Sequence, residues 1–188
     1  MGVFSLEHSR AAYAADFAAY GLTIAGLAVG LLVAGPPEQG WLLLACTVLG
    51  LGSWSGVEYL LHRHVLHGVQ PFCQWHAQHH ARPMALIGSP TLLSASLFAV
   101  LVFMPVWGLA NVWVATAVTL GMMAGYLAFG LTHHAMHHSR SRNPWLARRK
   151  RWHALHHHRP AEHAGCYGVT SNVWDHVFGT AYRRAAEH

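Results

Sequence analysis

VWVATAVTLGMMAGYLAFGLT, Val112 to Thr132, runs directly into HHAMHH, His133 to His138. The first stretch carries no Asp, Glu, Lys or Arg. About 20 apolar residues at 1.5 Å each cross the roughly 30 Å hydrocarbon layer of a bilayer, so its length fits a membrane span. The second stretch packs four imidazoles into six residues. A buried polar group without a partner costs about 1–3 kcal/mol, so a span that ends in histidines needs a reason for them. Related clusters stand elsewhere in the chain: HRHVLH at His62–His67, HAQHH at His76–His80 and HALHH at His153–His157.

Three further apolar stretches have a comparable character: Phe17–Ala34, Trp41–Leu61 and Thr91–Leu109. Gly35-Pro36-Pro37 and the region from Pro105 to Asn111 connect them in pairs, and such short links predict antiparallel hairpins. Pro105 is expected to shorten the third span. Composition agrees with a membrane setting, with 53% apolar residues and only 10% charged against a usual share of about 25%. The fold class predicted is therefore an all-α integral membrane protein, one domain over residues 1–188. Four transmembrane helices (17–34, 41–61, 91–109 and 112–132) carry a cap formed by 62–90 and 133–188. The first sixteen residues include Glu7, Arg10 and Asp16 and no early apolar core, which is unlike a signal peptide, so the first span is expected to stay as an anchor.

All 12 Lys and Arg fall before span one, between spans two and three, or after span four. With four spans, those segments share one side of the bilayer, and the positive-inside rule makes that side cytoplasmic. Both termini and every histidine cluster then face the cytoplasm. A soluble helical bundle gives no reason for this distribution.

Residues at i, i+3 and i+4 share a helix face. His76, His79 and His80 have that spacing, as do His153, His156 and His157, and His133 with His137 forms an i, i+4 pair. His134 with His138 is an equivalent register that spacing alone does not separate. His62 and His67 are five apart, about 140° beyond a full α-helical turn. They meet one metal only if the helix ends between them; otherwise they address two. Glu58 shares a face with His62, and the expected use of a carboxylate there is a hydrogen bond to a ligand imidazole. The ten candidates (His62, His67, His76, His79, His80, His133, His137, His153, His156 and His157) exceed the needs of one tetrahedral zinc and suit two metal ions. Imidazole accepts iron, zinc, copper or nickel. The scarcity of acids within the clusters disfavours calcium and magnesium, as well as the Glu-rich soluble di-iron bundles.

In the order HRHVLH, HAQHH, THHAMHH, HALHH, followed by GVTSNVWDHVFGT at Gly168–Thr180, the chain resembles the fatty acid hydroxylase and sterol desaturase superfamily. The resemblance runs from about Trp54 to Tyr182. It implies a membrane non-haem di-iron oxygenase that uses O₂ on a lipid C–H bond, with the ten histidines as ligands and the 133/137 register preferred. It implies iron, although zinc can occupy such a site. Hydroxylation of a fatty acyl chain is the expected reaction; desaturation, or hydroxylation of a carotenoid or sterol, shares the hydrogen-abstraction step. Some relatives carry a fused cytochrome domain. No haem or iron–sulfur motif is visible here, so a separate electron-donor protein is expected. A membrane metal-binding, storage or transport protein is the rival from another class, but transport calls for ionisable residues through the membrane depth, and the clusters sit at one end.

The remaining features are weaker. Cys46, Cys73 and Cys166 form no C-x-x-C pair, and Cys46 reads as simple burial. Arg148-Arg149-Lys150-Arg151, flanked by Trp145 and Trp152, reads as a helix resting on the membrane surface rather than as a nucleic-acid contact. Ser171 is the expected N-cap of a helix packed through Trp174, Val177 and Phe178.

Overall fold

The computed structural model describes residues 6–158 and 165–182. His163, His188 and both chain ends lie outside the described residues. Among the described residues all regular structure is helical, apart from one isolated bridge between Glu7 and Ile87. Four helical stretches are long and apolar enough to cross a membrane: Arg10–Ala34, Pro37–Leu66, Thr91–Leu109 and Val112–His138. The chain divides into two compact units, Met1–Trp54 with Ala85–Ala128, and Ser55–Met84 with Phe129–His188.

In the first unit, helix α1 (Arg10–Ala34) begins at Arg10 rather than Phe17. The alanine-rich AAYAADFAA segment favours helix, and the Ser9 side chain caps it by accepting from Ala12 N–H at 3.2 Å. Gly35 and two prolines end it, and a 3₁₀ turn (Pro37–Gln39) leads into α2 (Gly40–Leu60). The third span is α4 (Thr91–Phe98), a π turn (Ala99–Phe103) and α5 (Met104–Leu109). Pro105 therefore does not shorten the span. It lacks an N–H and crowds the carbonyl four residues back, and the widened turn before it accommodates both. Helix α6 (Val112–His138) starts beside Asn111, whose Oδ1 accepts from Trp113 and Val114 N–H at 3.0 Å each. It continues past Thr132 without interruption.

Two features hold this unit. A Cβ placed on Gly121 would collide with the Thr47 carbonyl oxygen and lie 2.7 Å from Leu51 N, and one on Gly50 would strike the Val118 carbonyl oxygen. So α2 and α6 touch backbone to backbone, the small-residue packing of membrane helices. Around them Tyr20, Trp54, Phe98 and Tyr126, one aromatic from each span, form a cluster with ring centroids 4.9 Å (Tyr20–Tyr126) to 6.4 Å (Tyr20–Phe98) apart. Tyr20 and Ser94 share a hydrogen bond of 2.7 Å, and Thr91 donates to Asp16. Leu32, Trp41 and Leu109, each at least 85% exposed, would be anomalous in water and suit lipid contact.

The second unit comprises the end of α2 from Ser55, a π turn (Leu61–Leu66), α3 (Phe72–Ala81), the end of α6 from Phe129, α7 (Pro144–His158), an irregular stretch from Gly165, and α8 (Val173–Val177). Met136, Leu146 and Val169 form its small apolar core with Phe129 and Ala135. Trp174 lies flat on Gly56, where a Cβ would sit 3.2 Å from the indole, and donates to Ser55 Oγ at 3.1 Å. Helix α8 differs from expectation. Its N-cap is Asn172, without a side-chain cap bond, rather than Ser171, although Ser171 Oγ accepts from Val173 N–H at 3.2 Å; Val177 and Phe178 are exposed, and the fully buried residue is Asp175.

Candidate metal centre

Four elements of the second unit bring all ten candidate histidines together in two groups. His62, His67, His76, His80 and His156 form the first, and His79, His133, His137, His153 and His157 the second. In each group the five ring nitrogens lie within 4.8 Å of one another. The i, i+3, i+4 triplets divide rather than act as blocks: α3 sends His76 and His80 to the first group and His79 to the second, and α7 sends His156 to the first and His153 and His157 to the second. The groups adjoin, with the His80 and His157 rings stacked at 4.2 Å. His134 and His138 stack on each other at 4.5 Å and belong to neither group.

His62 and His67 reach one centre by a route that spacing did not suggest. The helix neither stops between them nor splits them, but widens into the π turn Leu61–Leu66. In a turn closed by i→i+5 bonds, residues five apart lie nearly above one another. Their ring centroids are 5.3 Å apart.

The hydrogen bonds fix where the lone pairs point. His62 Nδ1 donates to the Tyr167 carbonyl at 2.6 Å and His156 Nδ1 to the Gly165 carbonyl at 2.9 Å. A neutral imidazole has one N–H, so both Nε2 atoms are bare and face the group. His76 Nε2 lies 3.0 Å from both His62 Nε2 and His80 Nε2. In the second group, His153 Nε2 lies 2.9 Å from His137 Nε2 and 3.0 Å from His157 Nε2, and His79 Nε2 is buried without a partner. Converging lone pairs repel unless a cation sits among them. The donor set fits a transition metal in each group and gives no oxygen ligands for calcium or magnesium.

Burial, and then the neighbouring imidazoles, push these rings below the usual value near 6.5: His67 to about 4, His79 to about 3, His157 to about 2. His156 falls to about 3 through burial, against its carbonyl bond. Between those values and 6.5 the unfolded chain binds more protons than the folded one, so stability falls as pH falls. For the metal-free chain we expect the unfolding temperature to drop steadily from pH 6.5 to 4 and to change little between 7 and 8. A melting series at fixed ionic strength checks this; a flat profile would show that the rings are not buried as neutral bases.

Glu58 is buried and paired, but not with an imidazole. Its Oε1 accepts from Val169 and Thr170 N–H at 2.6 and 2.9 Å, and its Oε2 from the Thr170 hydroxyl at 2.5 Å. It holds the strand of chain that carries the Tyr167 carbonyl. Glu58→Ala would leave three donors unsatisfied and should cost about 3 kcal/mol or more, while Glu58→Gln, which keeps an acceptor for both amides, should cost clearly less. Melting temperatures in detergent would compare the two. Asp175 grips the other side: Oδ1 accepts from Tyr167 N–H and the Thr180 hydroxyl at 2.8 Å each, and Oδ2 from Gly168 N–H at 2.9 Å and Trp152 Nε1 at 3.2 Å. Gly168 must be glycine here, since a Cβ would collide with the Ser171 carbonyl oxygen and lie 2.9 Å from Asp175 Oδ2. Between the two carbonyls that meet imidazoles sits Cys166, left-handed at φ 59° and buried. Arg149 turns inward from the basic run, contrary to a wholly surface reading; burial lowers its pKa, opposed by Asp175 and then Glu58. Sequence reasoning passed over Asp175, although it is one of only seven acidic residues and lies in the quoted tail.

The family model described as Fatty acid hydroxylase matches residues 47–180. Two Arabidopsis thaliana proteins, dihydroceramide fatty acyl 2-hydroxylases FAH1 and FAH2, are 33% and 32% identical over 73% and 70% of this chain. The ceramide very long chain fatty acid hydroxylase scs7 of Schizosaccharomyces pombe is 31% identical over 71%. The matches span 61%, 58% and 41% of those relatives' own lengths. A solved structure of full-length scs7p, in which only the hydroxylase domain is visible, shares the fold with a TM-score of 0.77 and 24% identity, covering 95% of this chain and 68% of that one.

Proposed function

Because the chain belongs to the fatty acid hydroxylase family, we propose that it is a membrane oxygenase that hydroxylates a fatty acyl chain. Its ten histidines hold two metal ions, iron in the working protein, with zinc able to take the same places. The observation that carries this reading is the pair of adjoining five-imidazole groups, one unshared set for each ion. The names of the relatives point to carbon 2 of an acyl chain carried by a ceramide-type lipid, and we extend that substrate class to this chain.

The chemistry supplied by the bound metal pair is reduction of O₂ with two electrons and two protons, so that one oxygen atom enters a C–H bond and the other leaves as water. The residues provide the rest. His62 and His156 are locked in one tautomer by backbone carbonyls, so their Nε2 lone pairs need no reorganisation. Burial keeps the rings of His67, His79, His156 and His157 neutral at physiological pH and available as ligands. The four apolar helices place the chain where acyl lipids are dissolved. In this reading the electrons come from a separate donor protein, and the one-sided distribution of Lys and Arg supports a cytoplasmic position for the termini and the metal centre.

Purified protein in lipid discs, supplied with a chemical reductant and a ceramide extract under isotopically labelled O₂, should yield lipids heavier by one labelled oxygen. Product formed without O₂, or oxygen drawn from water, would sink the proposal.

A further inference from the structure

The two histidine groups are not braced alike. In the first, two rings donate to backbone carbonyls, His62 to Tyr167 and His156 to Gly165. In the second, no ring bonds to a carbonyl or carboxylate among the described residues. Its hydrogen-bond-range contacts are to other imidazoles, His133 stacks on Phe129, and the Nε2 of His79 is buried without a partner. A cavity of about 200 Å³ also opens against His137, His153 and His157 of the second group, with His80 as its one ring from the first.

Both bracing carbonyls belong to one short irregular segment, and that segment is held by Asp175. The carboxylate is completely buried and accepts four hydrogen bonds, two of them from the N–H groups of Tyr167 and Gly168. Its backbone carbonyl accepts from Thr180 and Ala181 N–H at 2.8 and 3.0 Å, and the Thr180 carbonyl accepts from Cys166 N–H at 3.0 Å. The segment is thus closed on itself around one side chain, with the left-handed Cys166 between the carbonyls that face His156 and His62.

Resting on the reading of the two groups as metal sites, we infer that they bind unequally: the first is the tight site, the second the exchangeable one, and Asp175 is the positioning residue that makes the difference. Partners that orient ligand imidazoles are typically worth ten- to a hundredfold in metal affinity. Among the described residues the first group has two such bonds and the second none, so the affinities should differ by at least about tenfold.

The test is a competitive chelator titration of the full-length protein loaded with zinc alone, with the metal retained measured by elemental analysis. Wild type should release its two ions in two separated steps. His133→Ala should remove the weaker step and leave the tighter one. Asp175→Asn turns an amide toward N–H groups that need an acceptor, and should weaken the tighter step about ten- to a hundredfold without moving the other. Thr180→Val, which removes the hydroxyl that donates to Asp175 and meets the Tyr59 hydroxyl at 3.0 Å, should shift the same step in the same direction by less and keeps the test open if Asp175→Asn does not fold. Two equal steps in wild type, loss of the tighter step in His133→Ala, or an unshifted tight step in the variants that fold would overturn the inference while leaving two sites in place. Binding of fewer than two zinc ions by wild type would instead remove the reading on which it stands.

Discussion

Replacing His153 with alanine should reduce hydroxylation to below about a thousandth of wild type and lower bound metal from about two ions per chain toward one. His153 is the junction of the second group: its Nε2 is 2.9 Å from that of His137 and 3.0 Å from that of His157, and the ring is buried. No neighbouring side chain can substitute, because His134 and His138 stack on each other outside the group. The fold should survive, since the truncated ring packs mainly against other imidazoles. The measurement pairs metal analysis with turnover of an acyl lipid. Full activity in a variant with one metal would refute the dinuclear proposal.

The second large effect concerns the span helices. Gly121→Val should prevent accumulation of folded protein, and Gly121→Ala should lower the unfolding temperature markedly. Any Cβ at this position meets the main chain of α2, at the Thr47 carbonyl oxygen and Leu51 N, and main chain cannot rotate away as a side chain can. Overpacking commonly costs about 1–3 kcal/mol, and a collision between two backbones belongs at or above the top of that range. Gly52, where a Cβ would meet nothing within 4 Å, is the internal control: Gly52→Ala should be nearly neutral. Equal behaviour of the two alanine variants, by expression level and melting temperature, would contradict the close approach of α2 and α6.

The spans were legible because apolarity over about 20 residues is a local property, and the histidines because i, i+3 and i+4 spacing fixes a helix face. Spacing did not show how each triplet divides between two centres, since that depends on which helix lies opposite. The π turn was missed because nothing in HRHVLH announces it, and an ideal α-helix sends His62 and His67 apart. The partners of Glu58 lie more than a hundred residues away at Val169 and Thr170, a pairing that no periodicity encodes. The loop from Gly165 to Thr170 was the least legible part. Its contribution to the site is made by backbone carbonyls, and a carbonyl is the same in every residue. Only the glycine at 168 and the acid at 175 mark it in the sequence.

The candidate ligand set is composed wholly of uncharged donors, and the carboxylates of Glu58 and Asp175 are already committed to N–H and O–H groups. Two divalent cations held this way would keep their formal charge of about +4 uncancelled by their immediate neighbours. Such surroundings disfavour further loss of electrons, so the reduction potential of the centre should lie above that of otherwise similar carboxylate-bridged pairs. On the proposed function, an aspartate engineered in place of one imidazole should make the metal pair measurably harder to reduce.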